Sequence, residues 1–213
     1  MSLEIPFSPR LSLAATSPRT LKSRRYNDME FTTTVNKNVI DFYDTYPTSE
    51  IGGNFMTRWA MYANTPLGES TRKALYPALK AKIAGCPQPQ AVNKLLNWVQ
   101  TAFVYEYDTK VWGGDRAFFA DETLYYPYCD CEDRSILFSR LVRDLLGLDV
   151  VLVYYPGHLA TAVNLTDGEI KGDYLTLGGR RYVVCDPTYI NAPAGHSMTG
   201  MDNAAAKVIL LNR

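Results

Sequence analysis

The chain has 213 residues, 46% hydrophobic and 12% aromatic, enough apolar material for one globular domain without disulfide or metal staples. Lys plus Arg and Asp plus Glu both number 22, so the net charge is zero, and no basic surplus exists to hold a phosphate backbone; no nucleic-acid partner is expected. No run of about 18 apolar residues occurs, so no membrane span is expected either.

Residues 1–30 carry Pro, Ser and the basic cluster Arg19, Lys22, Arg24 and Arg25, and read as an extended N-terminal arm with solvated charges. Residues 31–213 read as one domain with a helical N-terminal part. The start of the chain lacks the charged-then-apolar layout of a leader. The cysteines, Cys86, Cys129, Cys131 and Cys185, suggest no disulfide framework. Free thiols fit a reducing compartment or a functional role. The lack of a leader pattern reads as cytoplasmic, unless the chain is a piece of a longer exported protein.

Val35, Val39, Ile40, Tyr43 and Tyr46 repeat at helical spacing and predict a helix over 34–46, stopped by Pro47. A short helix is expected over 54–63. Another follows Gly68-Glu69-Ser70, with Leu75, Leu79 and Ile83 on one face and Pro77 kinking or starting it. Pro87 and Pro89 introduce a stronger helix, whose stripe is Val92, Leu95, Leu96, Val99, Ala102 and Phe103. Residues 106–127 look irregular. Ile136, Leu137, Leu141, Val142, Leu145 and Leu146 predict a helix over 131–146, with Gly147 as its C-terminal stop. Strand patterns then follow at Val150–Tyr155, Leu159–Leu165, Asp173–Leu177, Arg181–Cys185 and Lys207–Leu211, the third and fourth joined as a hairpin through Gly178-Gly179. Helices first and antiparallel strands afterwards make an α+β domain.

The chemistry-bearing residues fall at the ends of these elements. Cys131 begins a helix with Asp130 as its N-cap, where free N–H groups and the helix dipole favour a thiolate and can bind an oxyanion. His158 opens a strand after a Pro-Gly turn and suits a general base. Asp186 ends a strand, is stiffened by Pro187, and suits a residue that orients the imidazole. Cys129 is the rival nucleophile, and His196 the rival histidine. Gln100, Trp112 and Tyr128 are candidates for a second oxyanion donor or a cleft wall. Cys129, Cys131, Cys185 and His158 are zinc-ligand types, but the C-x-C spacing is tight and no second compact pair exists. No recognisable calcium loop occurs, and no metal or other cofactor is expected.

The stretch CDCEDRSILFSRLVRDLLGLDVVLVYYPGHLATAV, followed by RRYVVCDPTY, resembles the transglutaminase-like superfamily. The matching features are Cys131 with Asp133, Leu146-Gly147, Gly157-His158 and Asp186-Pro187-Thr188, preceded by LLNWVQTAFVYEYD; they span roughly residues 90–190. Cys129 stands where the family commonly has Gly, and Leu159-Ala160 where it frequently has an aromatic residue. The resemblance implies a papain-like core, N-terminal helices packed on an antiparallel sheet, with Cys131, His158 and Asp186 as a catalytic triad acting on amides. The expected substrate is a peptide or protein, hydrolysed through a thioester. The alternatives are acyl transfer to an amine, or a silent domain that binds a peptide or protein partner.

Overall fold

The computed structural model describes residues 14–45 and 54–212. Its elements, in chain order, are β1 (Arg19–Lys22), β2 (Glu30–Thr33), α1 (Lys37–Asp44), α2 (Phe55–Asn64), α3 (Glu69–Ile83), α4 (Gln88–Ala102), β3 (Val104–Tyr105), α5 (Asp108–Val111), α6 (Ala120–Tyr125), β4 (Tyr128–Cys129), α7 (Cys131–Leu146), β5 (Val150–Tyr155), β6 (His158–Val163), β7 (Tyr174–Leu177), β8 (Arg180–Cys185) and β9 (Lys207–Leu210). The fold is α+β, as the run of helices before strands implies. The five later strands form one antiparallel sheet in the order β7-β8-β6-β5-β9.

Alternation along β5 explains the layering. Val150 and Leu152 join the main core, where the helices pack on one sheet face. Val151, Val153 and Tyr155 point to the other face and cluster there with Ala160, Ala162 and Tyr182. Both faces are therefore buried, which accounts for the nearly unbroken apolar run of this strand. A tight turn returns the chain into β6, with Gly157 at φ +78° supplying the left-handed conformation that a side chain would resist.

Helix α7 is the central element. Ile136, Leu137, Phe138, Leu141 and Val142 are fully buried against α2, α4, α6, β5 and β6. Gly147 ends it in the left-handed conformation. Arg134, also fully buried, reaches across to the C-terminus of α4. Its guanidinium donates to the carbonyls of Gln100 (3.0 Å) and Phe103 (3.0 Å) and to the Cys129 sulfur (3.3 Å). The last carbonyls of a helix have no partners within it, so this cation satisfies them and suits the negative end of the dipole.

Three expectations change. The described part of the supposed arm is docked: β1 pairs with β2, Leu21 and Met29 are buried, and the Trp98 indole donates to the Leu21 carbonyl (3.2 Å). Arg19 is not simply solvated, because it donates to the carbonyls of Leu124 and Tyr126. Helix α3 starts at Glu69 and runs through Pro77 rather than starting there. Residues 106–127 contain α5 and α6, too short to show a periodic stripe. The start of α6 is fixed by the Glu122 carboxylate, which accepts from the Phe119 N–H (3.0 Å). Tyr46 and Pro47 lie outside the described residues.

Replacing Arg134 by Met keeps the apolar stem and removes the donors. The carbonyls of Gln100 and Phe103 then stay buried without partners, and the expected loss is about 2–4 kcal/mol, read as a lower urea midpoint. A midpoint within error of the parent would show that the guanidinium does not hold this junction.

Candidate active site

A cleft of about 420 Å³ opens at the N-terminal end of α7. Cys131, His158 and Leu159 lie on its wall with the aromatic residues Phe55, Trp59, Tyr105, Tyr107 and Tyr154. Asp108, Asp115, Asp130 and Glu132 line it too, so the cleft is both aromatic and acidic.

Cys131 is the first residue of α7 and is half-buried. Asp133 fixes this end of the helix: its Oδ2 accepts from the Asp130 N–H (3.1 Å) and its Oδ1 from the Phe118 N–H (2.7 Å). Ser135 donates to the Leu159 carbonyl (2.9 Å), tying α7 to the start of β6 beside His158. The Leu159 N–H is directed at the Cys131 sulfur. The thiol itself donates to Glu132 Oε2 (3.1 Å).

His158 and Asp186 meet behind the cleft wall. His158 Nε2 lies 2.8 Å from Asp186 Oδ2, which leaves Nδ1 for another partner. Asp186 is firmly oriented, since its Oδ1 accepts from the Thr188 N–H (2.9 Å), the Thr188 hydroxyl (2.6 Å) and the Tyr189 N–H (3.2 Å). Burial alone would raise its pKa. The hydrogen bond and charge of His158, with the Thr188 donors, outweigh that and hold the carboxyl below its usual range. A carboxylate so held keeps a proton on the facing imidazole nitrogen and leaves the other nitrogen basic.

The surroundings of Cys131 work against the thiolate that a helix start favours. The helix start was expected to lower the thiol pKa. Instead burial first, then the negative charges of Glu132 and Asp130, push it well above the ordinary thiol value, and the Leu159 N–H offsets them only in part. Asp130 is pushed far up by burial and by Asp133 and Glu132, and Asp108 is pushed up to about 6, mainly by burial.

The other sequence candidates sit elsewhere. Cys129 is buried against Arg134, its thiol pushed up to about 12 by burial. Gln100 is fully buried, and its side-chain amide donates to the carbonyls of Asp186 (2.9 Å) and Ala192 (2.9 Å), so it supports the turn after β8 rather than the cleft. Trp112 packs edge-on against Phe118 and Tyr126 under the Arg116 guanidinium, and Tyr128 is exposed on β4; neither lines the cleft. His196 is outside it as well. Sequence reading missed Trp59. Its buried indole N–H has no acceptor, and only the fold brings α2 beside α7. Scanned against known protein families, the chain matches no family model, and a search of curated proteins finds no match.

Glu132→Gln removes the charge nearest the thiol. The thiolate is the form that reacts, and the Cys131 pKa is raised, so alkylation by iodoacetamide is slow at neutral pH and quickens as pH rises. In Glu132→Gln the rise shifts to lower pH, and the rate at pH 8 increases several-fold, roughly the effect of half a pH unit. Mass spectrometry of the Cys131 peptide reads it; an unshifted profile would remove Glu132 as the cause.

Proposed function

We propose that the cleft is the active site of a cysteine-dependent amide-bond hydrolase, a peptidase or isopeptidase, on a transglutaminase-like, papain-like core. The observation that carries this reading is the shared wall: a thiol at a helix start and a histidine whose Nε2 is held by an oriented carboxylate. The resemblance over residues 90–190 supports the same assignment.

In this reading the resting thiol is protonated and bonded to Glu132; it turns to His158 Nδ1, which takes the proton as Cys131 attacks the carbonyl. The tetrahedral oxyanion is met by the backbone N–H of Cys131 at the start of α7. His158 then protonates the leaving amine, which departs and leaves a thioester. Water, deprotonated by His158, releases the acid; an amine in its place gives acyl transfer.

The test offers fluorogenic peptide and branched isopeptide libraries to the full chain, with hydroxylamine to trap the acyl group as a hydroxamate. Cys131→Ala is expected to lower turnover by about 10⁶, and Asp186→Asn by about 10⁴. Turnover that survives Cys131→Ala would sink the reading.

The raised thiol pKa favours a second reading, a domain that binds a peptide without cleaving it. It predicts peptide binding unchanged in Cys131→Ala and no acyl adduct on the Cys131 peptide.

A further inference from the structure

Asp186 holds His158, and the donors that hold Asp186, Thr188 and Tyr189, stand on the loop that follows β8. A group carried on a loop is placed only as well as the contacts behind the loop allow. Those contacts come from two distant parts of the chain. Asn93, Asn97 and Gln100 share one face of α4, at i, i+4, i+7 spacing. Asn93 Oδ1 accepts from the Ala194 N–H (2.9 Å), Asn97 Nδ2 donates to Asn191 Oδ1 (3.1 Å), and Gln100 Nε2 donates to the Asp186 and Ala192 carbonyls (2.9 Å each). The second part is the turn between β1 and β2. The Arg25 guanidinium donates to the Asn191 carbonyl (2.7 Å), and the Ser23 hydroxyl (2.7 Å) and the Arg25 N–H (3.2 Å) both donate to Asn97 Oδ1. Asn97, 2% exposed, thus joins the turn to the loop. Asn191 stands at φ +64°, the one residue other than glycine with a positive φ among the described residues. Side chains resist that conformation, and it persists where the surroundings fix it.

We propose that Arg25, Asn97 and Asn191 are positioning residues, which lock the loop from Asp186 to Ala192 so that the N-terminal hairpin, lying outside the cleft, keeps the Asp186 carboxylate on His158 Nε2. Gln100 holds the two ends of this loop, and the Arg25–Asn191–Asn97 contacts hold its crest. The hairpin then belongs to the working parts of the site. The rival is a hairpin that only stabilises the fold, with the carboxylate set by Thr188 and Tyr189 alone.

The role deepens the hydrolase reading and rests on it only for its effect on turnover. The measurement follows the proton between His158 and Asp186, by NMR of the full chain carrying isotope-labelled histidine. The chain has 2 histidines, so His196→Gln assigns the signal. Arg25 and Asn191 are exposed, so their replacement leaves the core intact, which a melting curve verifies. Asn191→Gly keeps the left-handed backbone and removes the amide. Asn191→Asp keeps both the backbone preference and an acceptor for Asn97. Expected is exchange of this proton with solvent that is faster by about tenfold or more in the double variant Arg25→Ala with Asn191→Gly. Asn191→Asp exchanges close to the parent, as does Arg24→Ala, which removes the same charge from the same turn. In a turnover assay the double variant lowers kcat and leaves KM in place. A parent without turnover would sink the hydrolase reading and leave the proton measurement decisive. The proposal is overturned if the double variant exchanges as the parent does, or if the parent proton is itself unprotected. It is equally overturned if Arg24→Ala or Asn191→Asp exchanges as fast as the double variant.

Discussion

The structure turns on a guanidinium buried without a carboxylate. Arg134 sits on the first turn of α7, and its charge is balanced by carbonyls at the end of α4. Those carbonyls need a donor, and the guanidinium needs oxygens; each would be costly to bury alone. Meeting this way fixes the approach of α7 to α4. It also sets the height at which Cys131 emerges and places the Cys129 sulfur behind the junction. On the other side of α4, Gln100 uses its amide on the turn that carries Asp186. One helix end thus braces both the segment with the thiol and the segment with the carboxylate.

Much of the scaffold was legible because it rests on local signals. The stripe from Ile136 to Leu146, with its stopping Gly147, defines α7 residue for residue. The five later strands followed from β-branched runs and glycine turns, with ends shifted by a residue or two, as in β6, which runs His158–Val163 where Leu159–Leu165 was expected. The docking of β1 was not legible: a four-residue strand with one buried side chain, Leu21, carries no periodic signal, and its basic neighbours look like a tail. The short helices α5 and α6 failed for the same reason. Where an element is shorter than about two turns, tertiary contacts decide its state, and those are not local in sequence.

The site divided along the same line. That Cys131, His158 and Asp186 fall at element ends could be read from the chain. Their electrical surroundings could not. A helix start alone favours a thiolate, yet Asp108 and Asp115 arrive from a segment with no periodic pattern and join Asp130 and Glu132 in one wall. Burial and the neighbouring carboxylates push the thiol upward, in the opposite sense to the dipole. Gln100 and Trp112 look chemically apt in sequence, but the fold spends one on backbone carbonyls and stacks the other in an aromatic cluster.

The strand order of the sheet has a consequence in time. Cys131, His158 and Asp186 lie in that sequence along the chain, and β8, which leads into Asp186, must insert beside β6 before the carboxylate meets the imidazole. A ribosome delivers the chain from its N-terminus, so the thiol and the histidine leave the exit tunnel before the group that orients them. Until β8 docks, the imidazole lacks the carboxylate that holds its Nε2.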